Sequence, residues 1–170
     1  MTSAGGAPTA LGLAKLLALL VPAGLLAGAY GSQYIGGLAP CEMCYWQRWA
    51  HFAGLAFALL AFVSAGRLPD RGRSLVWLAA LGIAASGAIG FYHAGVEARW
   101  FEGFTQCTSQ VADGSTDELL RRILEAPVVR CDEVQWSWLG LSMAAWNAII
   151  SLGAALAIAW LSLKRPRAAG

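Results

Sequence analysis

Four long apolar stretches alternate with polar segments along the chain. They cover residues 11–34, 45–65, 75–95 and 139–163. Each is long enough to cross a bilayer as a helix, because a hydrocarbon core about 30 Å thick needs about 20 residues. No polar stripe repeats along them, and a helix that is apolar all round is buried in a protein core or in lipid. The pattern therefore predicts an all-α membrane protein, a bundle of four transmembrane helices.

The polar segments between these stretches differ in length. Residues 35–44 and 66–74 are short, whereas residues 96–138 form one long loop. Within that loop, Ser115 followed by Glu118 matches a capping box, which predicts a helix start. Four apolar residues then share one face of the predicted helix: Leu119, Leu120, Ile123 and Leu124. We expect a short amphipathic helix here, either on the bilayer surface or packed on its own loop.

The amino-acid composition also indicates a membrane protein rather than a soluble one. Of the 170 residues, 58% are hydrophobic and 13% are charged, whereas an ordinary soluble domain carries about 25% charged residues. The eight tryptophans agree with this, since tryptophan concentrates at membrane interfaces. The formal net charge of +2 gives no reason to expect a nucleic-acid partner. The length is that of a single domain, so we expect one membrane domain over residues 1–170.

The basic residues predict the orientation of the helices. Seven Lys and Arg residues and a single Asp belong to one side, near the two chain ends and in the 66–74 loop. Five Arg and nine acidic residues belong to the other side. Cytoplasmic segments carry an excess of Lys and Arg. Both termini and the 66–74 loop are therefore expected in the cytoplasm, and the 35–44 and 96–138 loops on the outer or periplasmic side.

All four cysteines fall on that outer side. Cys41 and Cys44 form a C-x-x-C pair at the mouth of the second stretch, and Cys107 and Cys131 lie in the long loop. Disulfides persist outside the cytosol, so these pairs indicate either redox chemistry or structural cross-links. A disulfide between the two cysteines of a C-x-x-C pair closes a small ring, which can open and close with little chain movement. A helix N-terminus near a cysteine favours its thiolate form.

Arg48 is the candidate electrostatic partner of this pair. It follows Cys44 by four residues and so shares its helix face. A charged residue at the head of a membrane span is costly, so a functional partner is the first hypothesis. The alternative is an arginine that reaches lipid phosphates.

Two purely structural interpretations of the cysteines remain. A zinc site would normally have a second C-x-x-C pair, which this chain lacks, and we expect no metal. Two inert disulfides could staple the loops, and a Cys107–Cys131 cross-link would contribute about 3 kcal/mol through chain entropy. Stapling does not account for Cys41 and Cys44, because so small a ring gains little entropy.

Three segments resemble the disulfide bond formation protein B (DsbB) family. The most specific is residues 40–48, a C-x-x-C motif followed by an arginine. The entry into the last apolar stretch, residues 131–143, and the pair Tyr92-His93 are similar to the family as well. The resemblance covers nearly the whole chain, in topology and in cysteine order.

The resemblance implies an oxidoreductase of the bacterial inner membrane that generates protein disulfides. Its electron donor would be a periplasmic thioredoxin-like protein of the DsbA type, and its acceptor a membrane quinone, ubiquinone or menaquinone. Cys107 would form the mixed disulfide with the partner, Cys131 would attack Cys41, and Cys44 would be released as a thiolate beside the quinone. The implied disulfides are Cys41–Cys44 and Cys107–Cys131.

Three more residues are candidates for the quinone site. His93 lies near the outer end of the third stretch, at the depth of Cys44, and His51 shares the helix face of Cys44 and Arg48. A neutral imidazole can accept or donate a hydrogen bond. The family resemblance places His93 and Met143 near the quinone. Packing between helices is the alternative for each of the three.

Two other functions fit part of the pattern. A vitamin K epoxide reductase-type enzyme also links thiols to quinones, but in that family the membrane C-x-x-C follows the loop cysteines, on the last span. Here the C-x-x-C comes first. A membrane protein stapled by two disulfides would have the same cysteines and no turnover.

Overall fold

The computed structural model describes residues 9–103 and 129–164, and this part of the chain is almost entirely helical. Its four helices are α1 (Ala10–Tyr34), α2 (Glu42–Val63), α3 (Arg73–Glu97) and α4 (Met143–Leu163). Within the described ranges, α1, α3 and α4 are long and apolar enough to cross a membrane. Helix α2 is less apolar because its first half carries Gln47, Arg48 and His51. The predicted amphipathic helix and Cys107 lie outside the described residues.

A tight hairpin delays the start of the last helix. Strands β1 (Ser137–Trp138) and β2 (Leu141–Ser142) pair antiparallel, and Trp138 faces Leu141. The two residues between them, Leu139 and Gly140, have φ values of 51° and 77°, as a two-residue type I′ turn requires. Helix α4 therefore begins at Met143, with Ser142 as its N-cap, instead of at residue 139 as predicted.

Helix α3 packs tightly between α2 and α4. A Cβ atom added at Gly82 would lie 2.9 Å from the backbone nitrogen of Gly54 in α2. One added at Gly90 would lie 3.0 Å from the carbonyl oxygen of Ala144 in α4. Small residues at these crossings let the helix backbones approach closely. Helix α1 lies across the bundle from α3 and contacts α2 and α4 less extensively.

The two ends of the bundle differ in chemistry. At one end the Lys15 ammonium donates a hydrogen bond to the Ala61 carbonyl over 2.9 Å, near the basic 66–74 loop. At the other end, Cys41 and Cys131 form a buried cluster with Met43 and Val96. The helices thus bring the described cysteines together at the end opposite the basic loop.

Candidate active site at the cysteine end of the bundle

Three sulfur atoms meet where α2 begins. Cys41 is the N-cap of α2 and Cys44 lies in its first turn, and their Sγ atoms are 3.2 Å apart as thiols. Cys131, from the far end of the long loop, is fully buried against them. The sulfurs of Cys41 and Cys131 and the Nε2 atom of His93 lie within 4.8 Å of one another. Residues 90 positions apart in the chain are therefore close enough for thiol exchange.

The cluster controls where negative charge can reside. The pKa of the Cys41 thiol is raised above its ordinary value, first by its hydrogen bond with Cys131, then by that with Cys44, and then by burial. A thiol that donates to neighbouring sulfurs keeps its proton. When the reduced cluster loses a proton, negative charge is therefore favoured on a neighbouring sulfur over Cys41.

Arg48 is buried without a carboxylate partner among the described residues. One guanidinium nitrogen donates to the Gln33 side-chain oxygen over 2.5 Å, and another donates to the Ala29 carbonyl over 3.1 Å. The Tyr30 ring stacks 4.8 Å from the guanidinium carbon. The side chain is 7% exposed, and its Nε has no hydrogen-bond partner in the described part of the chain. A buried cation held by neutral groups favours an anionic or electron-rich ligand beside it.

A cavity of about 560 Å³ opens beside these residues. Helix α1 contributes one wall, and the first half of α2, the last turns of α3, the first turns of α4 and loop residues 36–40 and 130–136 contribute the rest. Cys44, Arg48, His51 and Met143 all line it. The structure thus brings these predicted site residues to one space. The sulfur of Met143 lies 3.8 Å from the Ser32 hydroxyl oxygen of α1.

The two histidines have separate partners. The Nε2 of His51 is 2.9 Å from the Asn147 side-chain oxygen. The Nε2 of His93 is 3.6 Å from the Cys41 sulfur, and its Nδ1 is 3.0 Å from the Gln47 amide nitrogen. Both rings are buried. His93 therefore faces Cys41 directly, in addition to lining the cavity.

Three polar residues of the site were not singled out from the sequence. Gln47 and Asn147 join the histidines, with the Asn147 amide donating to the Gln47 oxygen over 2.8 Å. Glu97 belongs to the last turn of α3 and not to the outer loop, and it lies 3.7 Å from His93 Nε2 with a side chain only 9% exposed. The sequence signal that could have placed Glu97 in the site is its spacing of four residues from His93, because residues so spaced share a helix face.

Comparison with known proteins identifies the family. Residues 12–161 match the model of the family "Disulfide bond formation protein DsbB". The chain is 34% identical over 146 residues to the disulfide bond formation protein B of Xanthomonas campestris, which covers 83% of this chain and 84% of that protein.

The corresponding protein of Marinobacter nauticus is 30% identical over 144 residues, or 78% of this chain and 80% of that protein. No solved structure matches the chain. The family match spans the helices, the C-x-x-C pair and Cys131, and the family implies a thiol-disulfide oxidoreductase. This chain belongs to the disulfide bond formation protein DsbB family.

Proposed function

We propose that the protein oxidises the dithiol of a periplasmic thioredoxin-like protein of the DsbA type and passes the electrons to a membrane quinone, ubiquinone or menaquinone. The observation that carries this proposal is the cavity beside Cys44, which Arg48 helps to line, together with the burial of Arg48 and the unpartnered Nε of its guanidinium. No negatively charged side chain among the described residues pairs with that guanidinium.

A quinone ring suits this space. Ligand cavities of about 300–1,000 Å³ are typically apolar with a few placed polar groups, and 560 Å³ falls in this range. When bound, a quinone accepts two electrons and two protons. Arg48 would donate a hydrogen bond to a ring oxygen on which negative charge develops, an interaction that strengthens where water is excluded. Cys44 lies on the same wall, and Met143 would pack against the ring.

The proximity of Cys131 to Cys41 supports the proposed relay of disulfides. Cys107 would form the mixed disulfide with the reduced partner, which frees Cys131 as a thiolate. Attack by Cys131 on Cys41 forms the Cys131–Cys41 bond and breaks the Cys41–Cys44 bond, and the electron pair leaves on Cys44. Thiolate attack on a disulfide sulfur is the general route of such exchange.

We also propose that all four helices cross the membrane. Helix α2 has the length of a span, and its polar residues point into the site instead of lipid. The basic loop then lies in the cytoplasm with both termini, and the cysteine end faces the periplasm of the inner membrane.

The alternatives have less support. A vitamin K epoxide reductase-type order of cysteines is absent from this chain. A stapled structural protein would need neither a buried unpaired arginine nor a cavity beside a thiol, and these two features together favour the enzyme.

Turnover with purified protein tests the proposal. With a reduced thioredoxin-like protein as donor, we expect quinone to be consumed. The Cys107→Ala variant should lose turnover with the protein donor and keep quinone reduction by a small dithiol, whereas Cys44→Ser should lose both.

Three results would contradict this account. Normal turnover of the protein donor by Cys107→Ala would refute the assigned role of Cys107. Four stably oxidised cysteines without turnover would indicate a structural protein. Stoichiometric zinc in the purified protein would indicate a metal site.

A further inference from the structure

Two side-chain amides of the site, the buried Gln47 and the half-buried Asn147, have orientations that backbone carbonyls determine. The Gln47 nitrogen lies 3.1 Å from the Met43 carbonyl oxygen, and the Asn147 nitrogen lies 3.2 Å from the Ser86 carbonyl oxygen. A carbonyl oxygen can only accept a hydrogen bond. The amide nitrogens, and not their oxygens, must therefore face these carbonyls.

These orientations determine which nitrogen of each histidine carries a proton. The same Gln47 nitrogen lies 3.0 Å from His93 Nδ1, so that Nδ1 accepts and is unprotonated. The Asn147 oxygen lies 2.9 Å from His51 Nε2, so that Nε2 donates. A neutral imidazole carries one proton, and the proton of His93 is therefore on Nε2.

The protonated nitrogen of His93 faces sulfur. Its Nε2 is 3.6 Å from the Cys41 Sγ and 3.7 Å from a Glu97 carboxylate oxygen, and the ring also has a hydrogen bond with the backbone of Cys131. We propose that Gln47 and Asn147 are positioning residues that hold His93 as the Nε2–H tautomer, so that His93 donates a hydrogen bond to the Cys41 sulfur instead of acting as its base.

The consequence for catalysis rests on the function proposed above. After the exchange, Cys41 is bonded to Cys131. The second thiolate of the partner attacks the partner sulfur bonded to Cys107, which forms the partner's disulfide and releases Cys107 as a thiolate. When the Cys107 thiolate attacks Cys131, the Cys107–Cys131 bond forms, the Cys131–Cys41 bond breaks, and the electron pair leaves on Cys41. A donor aimed at that sulfur stabilises the leaving thiolate, and a better leaving group leaves faster.

The same geometry bears on metal binding. Cys41, His93 and Cys131 are the one group of potential metal ligands found among the described residues. A metal would need a lone pair on His93 Nε2, and the amide pair keeps a proton there. Metal binding at His93 is therefore the alternative to the proposed tautomer, since it requires the side-chain amides of Gln47 and Asn147 to exchange their nitrogen and oxygen positions.

Nitrogen NMR of the histidine rings tests the tautomer without any assay of turnover. The chain has two histidines, so ring-15N labelling gives two sets of signals, which His51→Gln assigns. In the reduced protein at neutral pH, we expect His93 with Nδ1 unprotonated and Nε2 protonated. Asn147→Leu should give a mixture of tautomers, whereas Ser151→Ala, which removes only the hydroxyl that donates to the Asn147 oxygen, should leave His93 unchanged.

A protonated Nδ1 in the unsubstituted chain would overturn the inference, and so would a shift of the Nε2 signal on addition of zinc alone. Both readouts need no substitution at Asn147, so they remain decisive if Asn147→Leu fails to fold. Neither depends on quinone, so a failure here leaves the proposed function intact.

Reactivity of Cys41 provides the second test. In a variant that retains Cys41 as the only cysteine, the pH midpoint of its alkylation reports formation of the thiolate. His93→Leu should raise that midpoint by about one to two units, because a hydrogen bond to a charged group contributes about 10- to 100-fold. His93→Gln keeps an N–H donor and should restore most of the shift. Equal midpoints for His93→Leu and the parent would contradict the role of His93 as a donor.

Discussion

The two sides of the bundle use glycine in opposite ways. On the α3 side, glycine marks backbone contact, and a Cβ added at Gly82 would lie 2.9 Å from a backbone nitrogen of α2. On the α1 side, Gly24 and Gly28 line the cavity, and a Cβ added at either would meet nothing within 4 Å. Glycine brings helices together on one side and leaves room for a ligand on the other.

The polar groups follow the same division. Towards α3 and α4, the amides of Gln47 and Asn147 have partners for both their nitrogen and their oxygen atoms. Towards α1, Arg48 is buried with an unpartnered Nε. A satisfied network fixes geometry, whereas an unsatisfied buried donor favours a ligand. The comparison supports the proposal that a ligand binds on the α1 side of the cavity, while the network on its α3 side holds the site in place.

The largest effect is expected at Arg48. Arg48→Leu should lower quinone reduction per correctly inserted molecule by about 100-fold, because a preorganised donor to developing charge contributes about that much. Arg48→Lys keeps the charge but loses the planar guanidinium, and it should retain partial activity with a weaker apparent quinone affinity. Rates measured at several quinone concentrations separate affinity from maximal rate. If Arg48 only contacted lipid, both variants would change insertion and leave these kinetics unaltered.

A matched pair of glycine substitutions tests the contrast between the two sides. Gly28→Leu extends into the cavity, so it should weaken apparent quinone affinity several-fold with little change in thermal stability. Gly82→Ala should destabilise the fold by about 1–3 kcal/mol, as overpacking does, and leave the kinetics of the folded fraction unchanged. Thermal unfolding in detergent and quinone titration measure both quantities. Loss of stability in Gly28→Leu with unaltered affinity would remove the cavity from the site.

The smallest effect is expected far from the site, at Asp70. This carboxylate accepts hydrogen bonds from the backbone nitrogens of Ser74 and Gly72 over 2.7 and 2.9 Å. These hydrogen bonds lower the pKa of Asp70, and the one from Ser74 has the larger effect. Its contribution to stability is complete above the unfolded pKa of about 4 and is lost as the pH falls through the lower folded value. Asp70→Asn should lower the unfolding temperature slightly at pH 7, and the difference should shrink below pH 4. A difference independent of pH would exclude this origin.

The helices could be predicted from the sequence because they depend on local hydropathy. The clustering of the described cysteines at one end could also be predicted, because successive spans run in opposite directions and place alternate loops at the same end. The start of α4 could not be predicted, since the hairpin before it is revealed by its strand pairing and by the positive φ of Leu139, a residue type that rarely adopts it. Gln47 and Asn147 were also missed. A single amide in an apolar helix is indistinguishable from a packing residue until its partner, 100 positions away in the chain, is known.

The sulfur cluster shows the same limit. The C-x-x-C spacing predicts that Cys41 and Cys44 are neighbours, and the structure has their sulfurs 3.2 Å apart. Nothing local in the sequence brings Cys131 to within 4.8 Å of Cys41, because the long loop separates them. The predicted disulfides remain predictions, and Cys107 lies outside the described residues.

The most direct measurement is an anaerobic single turnover of reduced protein with quinone. The Cys107→Ala/Cys131→Ala variant keeps only the membrane pair, and we expect about one quinol per chain from it, since a dithiol supplies two electrons. The Cys41→Ala/Cys44→Ala variant keeps only the loop pair and should yield none. A quinol yield from the loop pair equal to that from the membrane pair would contradict the claim that Cys41 and Cys44, beside the α1 cavity, deliver electrons to quinone.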